Sequence, residues 1–214
     1  MPTLPLPRFY PIIDAAHFHD APDPTTAILN FARELVEGGA SFIQYRNKSG
    51  SAREMLGHAR ELRRVLGSHI KLIMNDRTDL CLAASFDGVH LGQDDLSPAA
   101  ARKIFQSAGK GELWIGYSTH NPEQLREAEQ MPVDYVAIGP VYSTSSKSNP
   151  DPVIGVGGVR LARRLTAKPL VAIGGITRQN CKFVTEAGAD AVAVISDVVE
   201  SPDKSTQEFL RILG

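Results

Sequence analysis

Eight short runs rich in β-branched residues alternate with helical segments of about a dozen residues over a chain of 214. This alternation, with glycines and cap residues at the joints, predicts an α/β fold, a single (β/α)8 TIM barrel of one domain spanning residues 1–214. A doubly wound open sheet is the structural rival. It would leave shorter or more polar edge strands, and it rarely reaches eight regular units.

The expected strands are 9–13, 41–46, 71–75, 88–91, 113–117, 135–141, 169–173 and 191–195. Between the second and third, residues 51–66 place Met55, Leu56, Ala59, Leu62, Val65 and Leu66 on one helical face. Ser97-Pro98 and Asn121-Pro122 each pair a cap residue with proline at the first helical position. Gly38-Gly39 and Gly188 mark helix ends.

A net charge of −1 with interspersed signs gives no basic face for nucleic acid and no polybasic segment for a membrane surface. No apolar run approaches the roughly 18 residues of a membrane helix. The start, MPTLPLPRFY, lacks a charged segment followed by an apolar one, so no signal peptide is expected. Cys81 and Cys181 fall in helical segments without metal-type spacing and are expected as buried thiols, which suits the cytoplasm.

In such barrels the active site lies at the C-terminal ends of the strands. After strand 2 stand Gln44, Arg46 and Lys48; after strand 3, Asn75 and Asp76; after strand 4, Gln93, Asp94 and Asp95. Neighbouring strands thus bring cations and carboxylates to one rim. That set suits a polyphosphate with Mg²⁺, which takes one or two carboxylates and fills its shell with water and phosphate oxygens. On the other side, strand 7 ends in Gly174-Gly175-Ile176-Thr177 and strand 8 in Ile195-Ser196 before a helix-like piece, 197–200. Bare glycine backbone and a short helical N-terminus there read as a phosphate site. Between the two rims lies YSTSSKSNPDPVIGVGG, residues 142–158, too long for a simple connection. Its Thr144, Ser146 and Lys147 are placed to hold phosphate and cap the mouth.

Other features weigh less. Gly155–Gly158 follows a loop, so it is no dinucleotide fingerprint. His17 and His19 lack metal-ligand partners in sequence, His90 reads as a satisfied core histidine, and His120 stands near the mouth beside Ser118. The strand ends offer anion sites and carboxylates but no nucleophile–base pair.

IQYRNKS, MNDR, GVHLGQDD, GYSTHN, AIGPVYSTSSK, AIGGIT and VISDV, at seven strand ends in order, resemble the thiamine-phosphate synthase family nearly end to end. The resemblance implies a transferase of thiamine biosynthesis. It would join a hydroxymethylpyrimidine diphosphate to a thiazole phosphate and release diphosphate with Mg²⁺. Diphosphate departs first, and the thiazole nitrogen captures the aminopyrimidine-stabilised cation, so neutralised charge and alignment matter more than a strong base.

By the same resemblance Gln44, Lys48 and Asn75 meet the pyrimidine substrate, with Arg46 nearby, and Asp76 and Asp95 hold Mg²⁺. Asp94 takes the place of an acid that does not bind the metal directly. Ser118 and Lys147 are the catalytic candidates, on the pyrimidine diphosphate. Thr144, Ser145 and Ser146 line the thiazole phosphate site with Gly175, Ile195 and Ser196. The sequence departs from the pattern at Asn47, often acidic, and at Ser146, often threonine; serine keeps the hydroxyl. The competing readings are a thiazole tautomerase, for which His120 would be the acid/base; a phosphosugar isomerase or lyase; and a non-catalytic precursor-binding relative. Asp76 and Asp95 favour the synthase. The expected partners are the two small phosphorylated substrates, and no oligomeric state is legible.

Overall fold

A computed structural model describes residues 6–144 and 151–214. Eight parallel strands close into a barrel in sequence order: β1 (Phe9–Asp14), β2 (Phe42–Arg46), β3 (Lys71–Asn75), β4 (Gly88–Leu91), β5 (Trp114–Thr119), β6 (Tyr135–Ile138), β7 (Leu170–Ile173) and β8 (Ala191–Val194). The ring closes where Pro11 of β1 pairs with Val194 of β8. Outside run α1 (Pro24–Glu37), α2 (Ala52–Leu66), α3 (Thr78–Ala83), α4 (Pro98–Ser107), α5 (Pro122–Glu129), α6 (Gly155–Leu165), α7 (Cys181–Glu186) and α8 (Pro202–Leu213).

Helix starts follow the cap chemistry. Ser51, Ser97 and Asn121 each accept a hydrogen bond from the backbone N–H three residues on. Gly39 and Gly188, after α1 and α7, lie at positive φ, where a β-carbon would be strained. Cys81 and Cys181 are buried and free. No helix among the described residues is long and apolar enough to cross a membrane.

Period-2 alternation splits the strands between two cores. Phe9, Ile43, Leu72, Val89, Ile115 and Val136 point outward against helical residues such as Leu35, Leu62, Phe105 and Phe209. Tyr10, Phe42, Trp114 and Tyr135 point inward and meet edge to face or tilted, with Ala137, Ala191 and Ala193 opposite. The aromatic side fills the lumen, while Ala137 and Ala193 keep side-chain volume low beneath the mouth.

At the N-terminal ends one device recurs every second unit. Asp87, Asp134 and Asp190 precede β4, β6 and β8, and each accepts from a backbone N–H of the preceding strand: Leu72 at 2.9 Å, Ile115 at 2.7 Å and Leu170 at 2.7 Å. Each also pairs with an arginine of an even-numbered helix, Arg63, Arg102 or Arg163. At β2 the equivalent position is Ser41, whose carbonyl accepts from Lys71 N.

Several boundaries differ from the sequence reading; β5, for example, runs to Thr119 rather than to residue 117. β6 ends at Ile138, not at residue 141, because Pro140 has no N–H to continue a ladder. The piece after β8 is a short 3-10 turn, Ser196–Val198, rather than a helix over 197–200.

Candidate active site

The C-terminal strand ends open on a cavity of about 800 Å³. Gln44, Arg46, Lys48, Asn75, Asp76, Asp95, Ser118, Thr144, Gly175, Ile195 and Ser196 all line it, as do Gln93 and Asp94. Ser145, Ser146 and Lys147 lie outside the described residues.

On the β2–β4 rim, Lys48 Nζ is 2.5 Å from Asp76 Oδ2. Asp76 has φ +62°, a left-handed conformation that aspartate and asparagine tolerate better than most side chains. Its N–H donates to His90 O at 2.8 Å, which fixes the turn. Burial raises the Asp76 carboxyl pKa, Lys48 opposes the rise, and the facing Asp95 adds to it. Asp95 Oδ2 in turn accepts from Gly92 N. Two such carboxylates in contact repel unless a proton or cation joins them. Among the described residues no three His, Cys, Asp or Glu side chains converge. The pair fits a hard divalent cation that keeps most of its shell for water and phosphate. Beside it, the Nδ2 of Asn75 is buried and has no hydrogen-bond partner. That is a costly state unless a ligand acceptor fills it.

Arg46, expected near the pyrimidine substrate, lines the cavity and also forms an ion pair with the buried Asp14 at the end of β1. Asn47, where the family pattern often has an acid, is a loop anchor. Its Oδ1 accepts from Ser49 N at 3.2 Å and Gly50 N at 2.8 Å, and its Nδ2 reaches Glu54 Oε1.

On the opposite rim, Gly174 and Gly175 both have positive φ. A β-carbon at Gly174 would sit 2.5 Å from Pro140 Cβ, and one at Gly175 would sit 2.4 Å from Ser143 O. The glycines therefore admit the root of the β6–α6 loop, and Tyr142 N donates to Gly174 O at 3.0 Å. Close approach of this loop is thus a second reason for bare glycine here, beside close approach of a ligand. Asn180 Nδ2 holds Gly175 O, and Arg178 neutralises Asp197 beside Ser196.

Sequence reasoning missed a polar chain through the barrel. Gln44 Nε2 donates to Tyr10 Oη at 2.8 Å, Tyr10 Oη meets Tyr135 Oη at 2.9 Å, and Tyr135 Oη meets His90 Nδ1 at 3.1 Å. His90 Nε2 then lies 2.9 Å from Ser118 Oγ. A serine and a histidine thus stand in hydrogen-bond contact, a pairing the sequence does not show. His90 is buried and hydrogen-bonded as expected, yet it also lines the cavity. The signal was available: Tyr10 and Tyr135 occupy inward positions of β1 and β6, where a buried phenol needs a partner. Burial raises the pKa of both phenols, so both stay neutral. His120 Nδ1 donates to Gly139 O at 2.8 Å and lies 3.4 Å from Asp151.

Fold and site define the class: a phosphate-handling (β/α)8-barrel enzyme with a carboxylate–cation rim facing a glycine rim. A family model described as thiamine monophosphate synthase matches residues 9–198. A thiamine-phosphate synthase of Koribacter versatilis is 56% identical over 211 residues, 98% of this chain and 97% of its own. One of Methanosarcina mazei is 39% identical over 86% of this chain and 76% of its own. The solved thiamine phosphate pyrophosphorylase of Pyrococcus furiosus superposes with a TM-score of 0.82 at 33% identity, covering 96% and 95% of the two chains. A 3-hexulose-6-phosphate synthase, at 14% identity and a TM-score of 0.70, shares the fold. The chain belongs to the thiamine monophosphate synthase family.

Proposed function

We propose that this barrel couples hydroxymethylpyrimidine diphosphate to thiazole phosphate, forming thiamine phosphate and releasing diphosphate. The observation that carries the reading is the Asp76–Asp95 carboxylate pair beside Lys48, facing the glycine rim across one cavity. One side suits a metal-bound diphosphate, the other a single phosphate.

In the reaction the bond from the pyrimidine methylene carbon to diphosphate oxygen breaks, and the thiazole nitrogen forms the new bond to that carbon. Mg²⁺, held by Asp76 and Asp95, would supply charge neutralisation for the leaving diphosphate. Gln44 and Asn75 orient the pyrimidine, and the buried amide hydrogens of Asn75 supply donors that lack a partner in the protein. Lys48 is exposed enough to swing from Asp76 to the diphosphate. Arg46, anchored by Asp14, contributes a fixed positive edge rather than a mobile grip. Ser118 and Lys147 complete the diphosphate contacts. Thr144, Ser145, Ser146, Gly175, Ile195 and Ser196 form the thiazole phosphate site. Holding both partners in place spares the entropy of an encounter between two anions and sets the thiazole nitrogen to capture the cation once diphosphate has left.

The test is direct. Incubate the full chain with both phosphorylated precursors and Mg²⁺, and follow thiamine phosphate and diphosphate. Equal amounts of both products are expected. No product at saturating substrates would overturn the reading.

A further inference from the structure

Ser118, His90 and Tyr135 look at first like a hydrolytic triad, but the third member has the wrong polarity. In a serine nucleophile, histidine Nδ1–H donates to a carboxylate and the Nε2 lone pair takes the serine proton. Here the group at Nδ1 is a phenol, and its direction is set from the far end of the chain. Gln44 Nε2 donates to Tyr10 Oη at 2.8 Å. Tyr10 has one proton, and its other neighbour in the chain is Tyr135 Oη at 2.9 Å, so it donates there. Tyr135 then spends its own proton on His90 Nδ1 at 3.1 Å. A neutral ring that accepts at Nδ1 carries its hydrogen on Nε2, facing Ser118 Oγ at 2.9 Å.

We infer that the Gln44–Tyr10–Tyr135–His90–Ser118 chain runs with one polarity. It holds His90 as the Nε2–H tautomer, so that Ser118 presents its hydroxyl proton to an anionic oxygen in the cavity rather than acting as a nucleophile. Tyr10, Tyr135 and His90 are then positioning residues, and the naming of the anion as diphosphate rests on the proposed function. The polarity also fixes the other end. With the Gln44 amide nitrogen bound to Tyr10, its Oε1 is left as an acceptor on a cavity-lining residue. The chain therefore selects a ligand with an N–H donor at the β2 side and an anionic oxygen at the β5 side, as an aminopyrimidine diphosphate provides. The opposite polarity would need the Gln44 amide turned end for end.

Gly116 on β5 makes room for the chain. A β-carbon there would fall 2.3 Å from Tyr135 Oη and 2.5 Å from His90 Nδ1. Stacking of the His90 and Tyr135 rings, with centroids 5.5 Å apart, fixes both orientations.

The test begins without substrate. Imidazole nitrogen NMR on the ligand-free chain, with the His90 signals identified by their loss in His90→Gln, should show Nδ1 unprotonated and Nε2 protonated. A ring protonated on Nδ1, or on both nitrogens at neutral pH, overturns the inference. In Tyr135→Phe the fixed tautomer signature should be lost. The kcat/KM for the pyrimidine diphosphate should fall roughly tenfold, the effect of one hydrogen bond, with the KM for thiazole phosphate unchanged. Should that variant not fold, Tyr10→Phe carries the same expectation. An unchanged kcat/KM, or a covalent adduct at Ser118 with a serine-directed fluorophosphonate, sinks the idea. A wild-type chain that makes no thiamine phosphate would overturn the proposed reaction while leaving the tautomer result intact.

Discussion

Asp76 turns its carboxylate to Asp95 while Lys48 Nζ holds the same group at 2.5 Å. Burial keeps the folded Asp76 pKa above its ordinary 3.8. An acid with a raised folded pKa binds more protons folded than unfolded, so stability falls as pH rises from 3.8 through the folded value. Ionised Asp76 is therefore a stability cost at neutral pH without metal. Asp76→Asn keeps the left-handed turn and removes the charge. Its Tm without Mg²⁺ should equal or exceed wild type at neutral pH, and Mg²⁺ should raise the Tm of wild type alone. Turnover should drop roughly a hundredfold or more. A lower metal-free Tm, or turnover near wild type, would refute this account.

Gly175 tests the opposite rim. Gly175→Ala meets both an unfavourable φ, about 1–2 kcal/mol for a side chain, and the Ser143 carbonyl 2.4 Å from the new β-carbon. The β6–α6 loop must shift, so thermal unfolding should move down and the KM for thiazole phosphate should rise several-fold. The KM for the pyrimidine diphosphate should change less, because its contacts lie on the other rim. Equal rises in both KM values would argue against two separate anion sites.

Asp134 tests the opposite end of the barrel. It ties β5 to α4 through Ile115 N and Arg102, both at 2.7 Å. Asp134→Ala leaves Arg102 partly buried without its carboxylate and Ile115 N–H without its acceptor. A loss of about 3 kcal/mol follows from breaking such a pair, read by urea unfolding, with kcat unchanged in the folded fraction. A loss in kcat at unchanged stability would contradict the division between the two faces.

Much of this architecture was legible because strand periodicity and cap chemistry are local. Ser97 and Asn121 cap their helices as their prolines implied, and the barrel places strand ends 2, 3 and 4 side by side. What stayed hidden depends on where a side chain turns across the barrel. The sequence places Arg46 at the rim but not its partner, because Asp14 lies 32 residues away and the β1–β2 pairing brings them together. Tyr10 and Tyr135 are 125 residues apart, on strands not adjacent in the ring, and meet because both point into the lumen. Asn47 looked like a missing charge; its role lies in the backbone N–H groups two and three residues on.

His58 on α2 gives the fold a pH dependence of its own. Its Nδ1 lies 2.8 Å from Tyr45 Oη and its Nε2 3.2 Å from Thr25 Oγ1, in a buried setting. Tyr45, its pKa pushed up to about 12 by burial, remains a neutral phenol. Burial lowers the His58 pKa below 6.5, and Glu54 and Asp23 offset part of that shift. The unfolded chain therefore binds the His58 proton more readily than the folded one. The stability this neutral ring contributes is present above 6.5 and is lost as pH falls through the folded value. His58→Gln keeps a polar group near Tyr45 but cannot take up the proton. Measured at about pH 7.5 and about pH 5, wild type should lose more Tm on acidification than the variant, even though the variant starts lower. Parallel curves for the two proteins would show that the slope arises from other groups.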